Sequence, residues 1–229
     1  TSAGLRLLDY ANQILQLHKS AIAELTQKEP SGLLRLGSME SSAASRLPDI
    51  LSAFHQHYHA VQVELITRAS MPLIEKVIDG ELDVVMAADP PDDPRLHCVA
   101  CFDEELVLIM PADWPYIDEL PTSLTMVGYQ KGCSYRHRLE TWLKKHGHTC
   151  GKVIEIPSHF TMIGCVIAGM GIGMVPRSLL TLHQTSGLKI ATVDSDIANA
   201  PTYLVSRKDN PSSAIQAFIS CSMEVAATV

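Results

Sequence analysis

Hydroxyl side chains gather where a predicted strand gives way to a predicted helix. Ser38, Ser41 and Ser42 follow the apolar run at 33–37. At the positive end of a helix dipole, hydroxyls and free backbone N–H groups can converge on an anion. Serine is also a preferred N-cap residue, so anion binding and helix capping are both open interpretations of these serines.

A thiol, a hydroxyl and a guanidinium stand at a similar transition further along the chain. Cys133 and Ser134 open a predicted helix, where Ser134 would cap the first turn. A thiol at a helix N-terminus can have a lowered pKa, so among the six cysteines we single out Cys133 as a redox or electrophile sensor. Arg136 would either bind a carboxylate through two nitrogens or serve a solvated helix face.

Aromatic and imidazole side chains begin another predicted helix, at His159 and Phe160. Phe160 would either stack on a ligand or fill the core, and we favour the core.

Two histidine-rich segments, 55–59 and 146–150, superficially resemble metal motifs. Neither supplies a complete set of ligands at a usable spacing, so we predict no metal and no cofactor.

Catalytic motifs are missing from the sequence. There is no G-x-S-x-G elbow, no H-E-x-x-H and no P-loop. The glycines at 169, 171 and 173 end a helix and enter a strand, which is the reverse of a dinucleotide fingerprint. The chain is therefore predicted not to be an enzyme.

Composition narrows the class of protein further. The 229 residues are 46% hydrophobic and 19% charged, which is typical of a globular chain. With 18 Lys+Arg against 25 Asp+Glu, the net charge of -7 argues against nucleic acid or an anionic membrane as a direct partner. The cysteines are too sparse for a secreted disulfide scaffold, and no apolar run is long enough for a membrane span. A cytoplasmic location is expected.

The first thirty residues are patterned as one long helix with a narrow apolar seam. Steps of three and four residues place six residues on this seam: Leu8, Ala11, Leu15, His18, Ile22 and Leu25. A strict heptad seam favours a partner helix, so we predict that residues 1–30 form a dimerisation helix. His18 either fixes the register of that pairing or is merely tolerated at its edge.

The remainder alternates short apolar runs with helical periodicity, which indicates an α/β fold on largely parallel sheets. We predict two Rossmann-like lobes with a ligand cleft between them. Lobe I would comprise residues 31–111 and 207–229, and lobe II residues 112–206. The chain would then cross between lobes near Pro111 and Arg207.

Four segments together resemble the LysR-type transcriptional regulators. The opening Thr1–Ala11 is similar to the junction before the family's linker helix. The others are Leu36-Gly37 with Leu47-Pro48, the turn Ile78-Asp79-Gly80-Glu81-Leu82-Asp83-Val84, and Val166–Pro176 with its AGMGIGMVP core. Their order and spacing extend over essentially the whole chain.

This resemblance implies a periplasmic-binding-protein-like sensor domain behind a linker helix. It also implies that a winged helix-turn-helix, which would contact DNA, precedes Thr1. In this scheme Ser41, Thr67 and Ser70 face the effector from one lobe, and Cys133 and Ser134 from the other. Ser42, His159 and Phe160 complete the predicted effector-binding set. The assembly would be a homodimer or homotetramer.

The expected function is therefore sensing of a small-molecule effector, which changes the oligomer arrangement and so the transcription of target genes. Hydroxyl-rich helix starts favour a small organic anion, while neutral aromatics stay open. The alternative is a periplasmic solute-binding protein, which would share the two-lobe cleft. The heptad helix and the six cysteines argue against that alternative.

Overall fold

A computed structural model of the chain describes residues 1–26, 29–115, 117–210 and 212–228. The helices are α1 (Ser2–Thr26), α2 (Glu40–Ser45), α3 (Leu47–His57), α4 (Ser70–Ile78), α5 (Ser134–Lys145), α6 (His159–Ile167), α7 (Arg177–Leu180), α8 (Ser195–Ala198) and α9 (Ser213–Ala226). The strands are β1 (Gly32–Ser38), β2 (Val61–Thr67), β3 (Val84–Ala88), β4 (Leu96–Phe102), β5 (Leu106–Pro111), β6 (Ser123–Gly128), β7 (Thr149–Glu155), β8 (Gly173–Pro176), β9 (Leu188–Thr192) and β10 (Thr202–Arg207).

Lobe I is built on a five-stranded sheet in the order β2-β1-β3-β10-β4. Alternate residues of the central strand β3 point to opposite faces. Met86 packs in the cluster that contains Phe54 of α3 and Phe218 of α9, whereas Val85 packs beneath α4. A Cβ at Gly37 would lie 2.7 Å from a Leu73 side-chain carbon, so glycine allows α4 to approach β1 closely.

Lobe II combines an antiparallel sheet, β8-β5-β9, with the parallel pair β6-β7. Every residue of β5 is buried, as expected for a strand covered on both faces. Trp142 and Tyr135 of α5 are the largest side chains in this core. Gly171 has a φ of +154°, and a Cβ there would lie 2.3 Å from the Thr125 carbonyl oxygen. Glycine is therefore required where β8 joins β6. The two-lobe α/β architecture is as predicted.

The strands place the crossings between lobes earlier than the sequence predicted. β10 is antiparallel to β3 and β4, so it belongs to lobe I, whereas β5 pairs with β8 and β9 in lobe II. The crossing segments are therefore 103–105 and 199–201, and not the neighbourhoods of Pro111 and Arg207. The prediction put each boundary after an apolar strand, but sheet membership depends on a distant partner strand that local pattern does not reveal.

The helical periodicity over 42–57 predicts a single helix, but the structure has two, α2 and α3, which meet at Arg46. Pro48 in the first turn of α3 has no N–H to donate to a residue of α2, which interrupts the hydrogen-bond ladder. The sequence also predicts a final helix from about Pro211 to Ala226. In the structure this helix begins at Ser213, and Pro211 lies outside the described residues. The short helix α8 was not predicted.

Helix α1 extends over 25 residues, as the heptad pattern predicted. Leu8 and Leu15 on the seam are 55% and 59% exposed. His18 and Ile22 are also exposed, and Ala11 is half-buried. The Leu25 side chain lies outside the described residues. Within the described part of the chain, no helix combines the length and apolar character that a membrane crossing needs.

Candidate functional site

A cavity of about 190 Å³ lies between the two lobes. Its walls come from the segments that follow β1 and β2 in lobe I, and from those that follow β6 and begin α5 in lobe II. The lining residues are Met39, Glu40, Ser41, Thr67, Arg68, Ala69, Tyr129, Gln130, Cys133, Tyr135 and Pro157.

Parallel pairing explains why these segments meet. Ser38 at the end of β1 lies opposite Thr67 at the end of β2, and Gly128 of β6 lies opposite Glu155 of β7. The carboxyl ends of parallel strands share one edge of a sheet, which is where ligands bind in such folds. The cavity is therefore bounded by both carboxyl edges.

Of the predicted residues, Ser41, Thr67 and Cys133 line this cavity. Ser70 and Ser134, again with Cys133, line an adjoining space of about 370 Å³. Ser42, His159 and Phe160 are absent from both linings. The predicted set is thus divided between two neighbouring spaces, with three members outside them.

The serine hydroxyls do not cap their helices. Helix α2 begins at Glu40 and its N-cap is Met39, so Ser41 and Ser42 lie within the helix. Helix α5 has Cys133 as its N-cap, without a side-chain capping bond. Ser134 instead donates its hydroxyl proton to the Asp89 carboxylate. The capping interpretation is therefore wrong for these residues.

Ser70 is buried and its hydroxyl is already used within the chain. It donates to the sulfur of Met39 at 3.1 Å and accepts the Ala88 N–H at 3.1 Å. These bonds join α4 to the end of β3 and to the segment after β1. Ser70 thus fixes the position of Met39, which lines the cavity, relative to α4 and β3.

The pKa of the Cys133 thiol is raised, whereas its place at a helix N-terminus predicted a lowered pKa. Burial raises the pKa of its thiol, and the backbone N–H groups of Tyr135 and Arg136 lower it by less. The expectation of a lowered pKa is wrong because the loss of water outweighs the helix N-terminus.

Phe160 does not fill the core, contrary to the favoured interpretation. It is 60% exposed, and its ring lies 4.1 Å from that of His183. His159, by contrast, is 2% exposed. Its Nδ1 and its backbone N–H both contact the carboxylate of Glu40, across the lobe boundary. The first residue of α6 therefore joins the lobes beside the cavity.

A second contact between lobes lies on the far side of Cys133. Asp89, which follows β3, binds Ser134 and Arg138 of α5. The φ of Asp89 is 48°, in the left-handed region that aspartate tolerates better than most residues. Arg138 Nη1 also donates to the carbonyls of Ile197 and Asn199, at 3.0 and 2.8 Å. One guanidinium thus connects lobe I to a crossing segment.

The two crossing segments are fastened to one another and to both lobes. Ala200 N–H donates to the Glu104 carbonyl at 2.9 Å, and the backbones of Glu105 and Asn199 form an isolated antiparallel β-bridge. The buried Glu104 carboxylate accepts from Arg46 of lobe I at 2.6 Å and from Ser178 of lobe II at 2.8 Å. A change in the relative orientation of the lobes would therefore alter the hydrogen bonds to the Glu104 carboxylate.

Sequence reasoning missed Tyr129, Tyr135, Arg68 and Glu40 as cavity residues. Tyr129 and Tyr135 are 7% and 1% exposed. Their hydroxyl oxygens have no hydrogen-bond partner among the described residues. Arg68 is exposed and donates to the Thr67 carbonyl at 3.2 Å, and it forms no ion pair with any described carboxylate. Arg68 and Tyr129 come directly after strands β2 and β6, while Glu40 and Tyr135 lie in the first turns of α2 and α5, and these positions are the feature that would have suggested them.

Arg136 lies outside the cavity lining and not on a solvated helix face, because its mostly buried side chain lines the adjoining space and pairs within lobe II. Its guanidinium binds Glu140 at 2.9 Å and also contacts Glu155.

Over the described residues, no group of three or more His, Cys, Asp or Glu is arranged to hold a metal ion. All six cysteines are free thiols.

Comparison with known proteins places this architecture in a family. The model of the LysR substrate binding domain matches residues 27–227. The uncharacterized HTH-type transcriptional regulator YusT of Bacillus subtilis is 34% identical over 222 residues, covering 96% of this chain and 75% of that protein. The HTH-type transcriptional regulator GltR of Bacillus subtilis is 34% identical over 213 residues, covering 91% and 72%.

Solved structures agree on the fold. Full-length BenM superposes with a TM-score of 0.74 at 20% identity, covering 100% of this chain and 78% of that one. The BenM effector binding domain with its effector benzoate gives 0.71 at 21% identity, covering 86% and 92%. With two such regulators at 34% identity and a family match along almost its whole length, the chain belongs to the LysR-type transcriptional regulators and contains their substrate-binding domain.

Proposed function

We propose that this chain senses a small organic anion in the cavity between its lobes, and that the bound anion changes the arrangement of the oligomer. The observation that carries the proposal is the cavity itself, whose walls come from both lobes. A ligand that contacts both walls stabilises one lobe arrangement over another by its difference in affinity for the two.

The charge of the ligand is inferred from Arg68. This exposed guanidinium stands at the cavity without a carboxylate partner among the described residues, whereas the Glu40 carboxylate is engaged by His159. An anionic group near Arg68, Ser41 and Thr67 would meet one positive charge and two hydroxyls. At about 190 Å³ the cavity suits a molecule near the size of a single ring, since an engineered cavity of ~150 Å³ holds benzene.

The readout is proposed to pass through α1 to DNA. Leu8 and Leu15 present exposed apolar side chains on one seam, which favours a homodimer or homotetramer. DNA would be contacted by a winged helix-turn-helix outside this chain, because the net charge here is -7. We infer a cytoplasmic regulator with no enzymatic activity.

Thermal unfolding in the presence of small carboxylates tests this proposal. A ligand that binds only the native state raises the melting temperature by mass action. Arg68→Gln should abolish the shift, while Lys152→Gln, which removes one exposed positive charge on β7, should preserve it. A shift that survives Arg68→Gln, or the absence of any shift across the panel, would contradict the anion proposal.

A further inference from the structure

Two tyrosine hydroxyls in the cavity wall are buried without a partner. Tyr129 directly follows β6, and Tyr135 lies in the first turn of α5. Both residues line the cavity, and their rings lie 6.3 Å apart, inclined at 64°. Buried hydroxyls are almost always hydrogen-bonded in native structures, so two unpaired hydroxyls at one cavity need a partner from outside the chain.

Two hydroxyl side chains of lobe I lie next to the Tyr135 hydroxyl. The Tyr135 hydroxyl lies near those of Ser41 and Thr202, yet neither contact has the geometry of a hydrogen bond. The Thr202 hydroxyl is itself buried and unpaired among the described residues. Ser41 belongs to α2, and Thr202 begins β10 directly after a crossing segment. A group placed here would touch both lobes next to the point where they are joined.

The phenols stay protonated in this setting. Burial raises the pKa of Tyr129, and the neighbouring Cys133 and Glu40 add to the rise. Burial also raises the pKa of Tyr135, with a further contribution from Glu104, while the nearby hydroxyls of Ser41 and Thr202 act in the opposite direction. A phenol that keeps its proton can donate a hydrogen bond, so both tyrosines are donors at neutral pH.

We propose that Tyr129 and Tyr135 donate hydrogen bonds to an acceptor oxygen of the effector, and so select molecules that enter the cleft with a carboxylate or carbonyl group. This inference rests on the proposed function, because it concerns the same cavity. It assigns the selection to neutral donors in the lobe II wall, in addition to the cation at Arg68. An alkyl group would leave both hydroxyls unpaired, and an ammonium, which has no acceptor atom, would leave both O–H donors unpaired, so molecules that end in either group are rejected.

The test compares Tyr129→Phe and Tyr135→Phe with wild type and with Tyr58→Phe, whose tyrosine packs on Phe54 in lobe I away from the cleft. The probes are succinate, glutarate, 2-oxoglutarate and benzoate, with butylamine and benzylamine as amines of similar size. Calorimetric titration gives the dissociation constant, and thermal unfolding without ligand gives the stability of each variant.

The expected result has two parts. Each cleft variant weakens binding of the best carboxylate by about tenfold or more. Its melting temperature without ligand is unchanged or higher, because no hydrogen bond within the chain has been removed. Tyr58→Phe leaves the dissociation constant unchanged, and the amines do not bind wild type.

Three outcomes would overturn the inference. A lower melting temperature of both unliganded cleft variants would show that the hydroxyls have partners within the chain. Unchanged carboxylate affinity in both variants, with binding still lost in Arg68→Gln, would reject the tyrosines and leave the proposed function standing. No carboxylate binding to wild type would remove the proposed function, and with it this inference.

Discussion

Arg138 holds Asp89 across the lobe boundary with a forked pair of hydrogen bonds, Nη2 to Oδ1 at 2.8 Å and Nε to Oδ2 at 3.3 Å. The same guanidinium donates to two carbonyls beside a crossing segment, those of Ile197 and Asn199. The Arg138 side chain therefore couples the position of lobe I to the backbone between the lobes. Ligand-driven movement of the lobes has to preserve or break this contact.

Arg138→Gln should lower the free energy of unfolding by about 1 kcal/mol, since charged hydrogen bonds are stronger than neutral ones but the Asp89 side chain is about half exposed to water. Chemical denaturation measures this directly. Arg95→Gln is the matched control, because Arg95 pairs with Asp93 at the surface and its loss should change little. Equal effects of the two substitutions would contradict a specific role for Arg138.

The Asp89 contact also predicts a pH dependence. Burial acts to raise the pKa of Asp89, but hydrogen bonds from Arg138 and Ser134 together bring it below the ordinary value of 3.8. A carboxyl whose pKa is lower in the folded state stabilises that state above 3.8 and loses this contribution as the pH falls through its folded pKa. The stability difference between wild type and Asp89→Asn should therefore be full at pH 6 and shrink below about pH 4. A difference that grows on acidification would reject the assignment.

Cys133 should react slowly with thiol reagents. Because burial raises its pKa, little thiolate is present near pH 7, and the reactive fraction grows only as the pH rises. Alkylation by iodoacetamide, followed by peptide mass spectrometry, should label the exposed Cys150 well before Cys133 at pH 7. Preferential labelling of Cys133, or its oxidation by low peroxide, would restore the redox-sensor hypothesis.

Adjacent serines provide a matched test of the cavity. Ser41 lines it, whereas Ser42 is equally buried and does not. Ser41→Ala should raise the dissociation constant of a bound carboxylate about fivefold to tenfold, as for one lost hydrogen bond. Ser42→Ala should leave that constant unchanged in the same titration. Reversal of the two results would move the ligand out of the cleft.

The seam of α1 should drive association. Leu8→Glu with Leu15→Glu places two charges on the exposed apolar seam and should reduce the molar mass measured by light scattering. Arg6→Glu is the control, because Arg6 is exposed and lies off the seam. A double variant with the molar mass of wild type would show that another surface holds the oligomer together.

Local pattern was sufficient to predict the two lobes, helix α1 and the glycine turn before β8. It failed where distant parts of the chain decide the structure. The pairing of β10 with β3 depends on residues more than a hundred positions away, and the apolar pattern of β10 suits either lobe. The break at Arg46 follows from Pro48, which the helical periodicity around it concealed.

The candidate site was predicted in outline and not in its chemistry. Ser41 and Thr67, which were chosen because strand ends are visible in the sequence, line the cavity, and their part in effector binding stays a prediction. The tyrosines were overlooked, because a tyrosine just after a strand or in the first turn of a helix usually belongs to the core. Only the unpaired hydroxyls in the folded chain distinguish Tyr129 and Tyr135 from ordinary core residues.

Amide hydrogen exchange with and without the best-binding carboxylate shows directly whether the ligand binds between the lobes. Binding between the lobes should slow exchange in both walls at once, at residues 39–41 and 67–69 of lobe I and 129–135 of lobe II. Protection confined to one wall, or protection elsewhere with these segments unchanged, would contradict it.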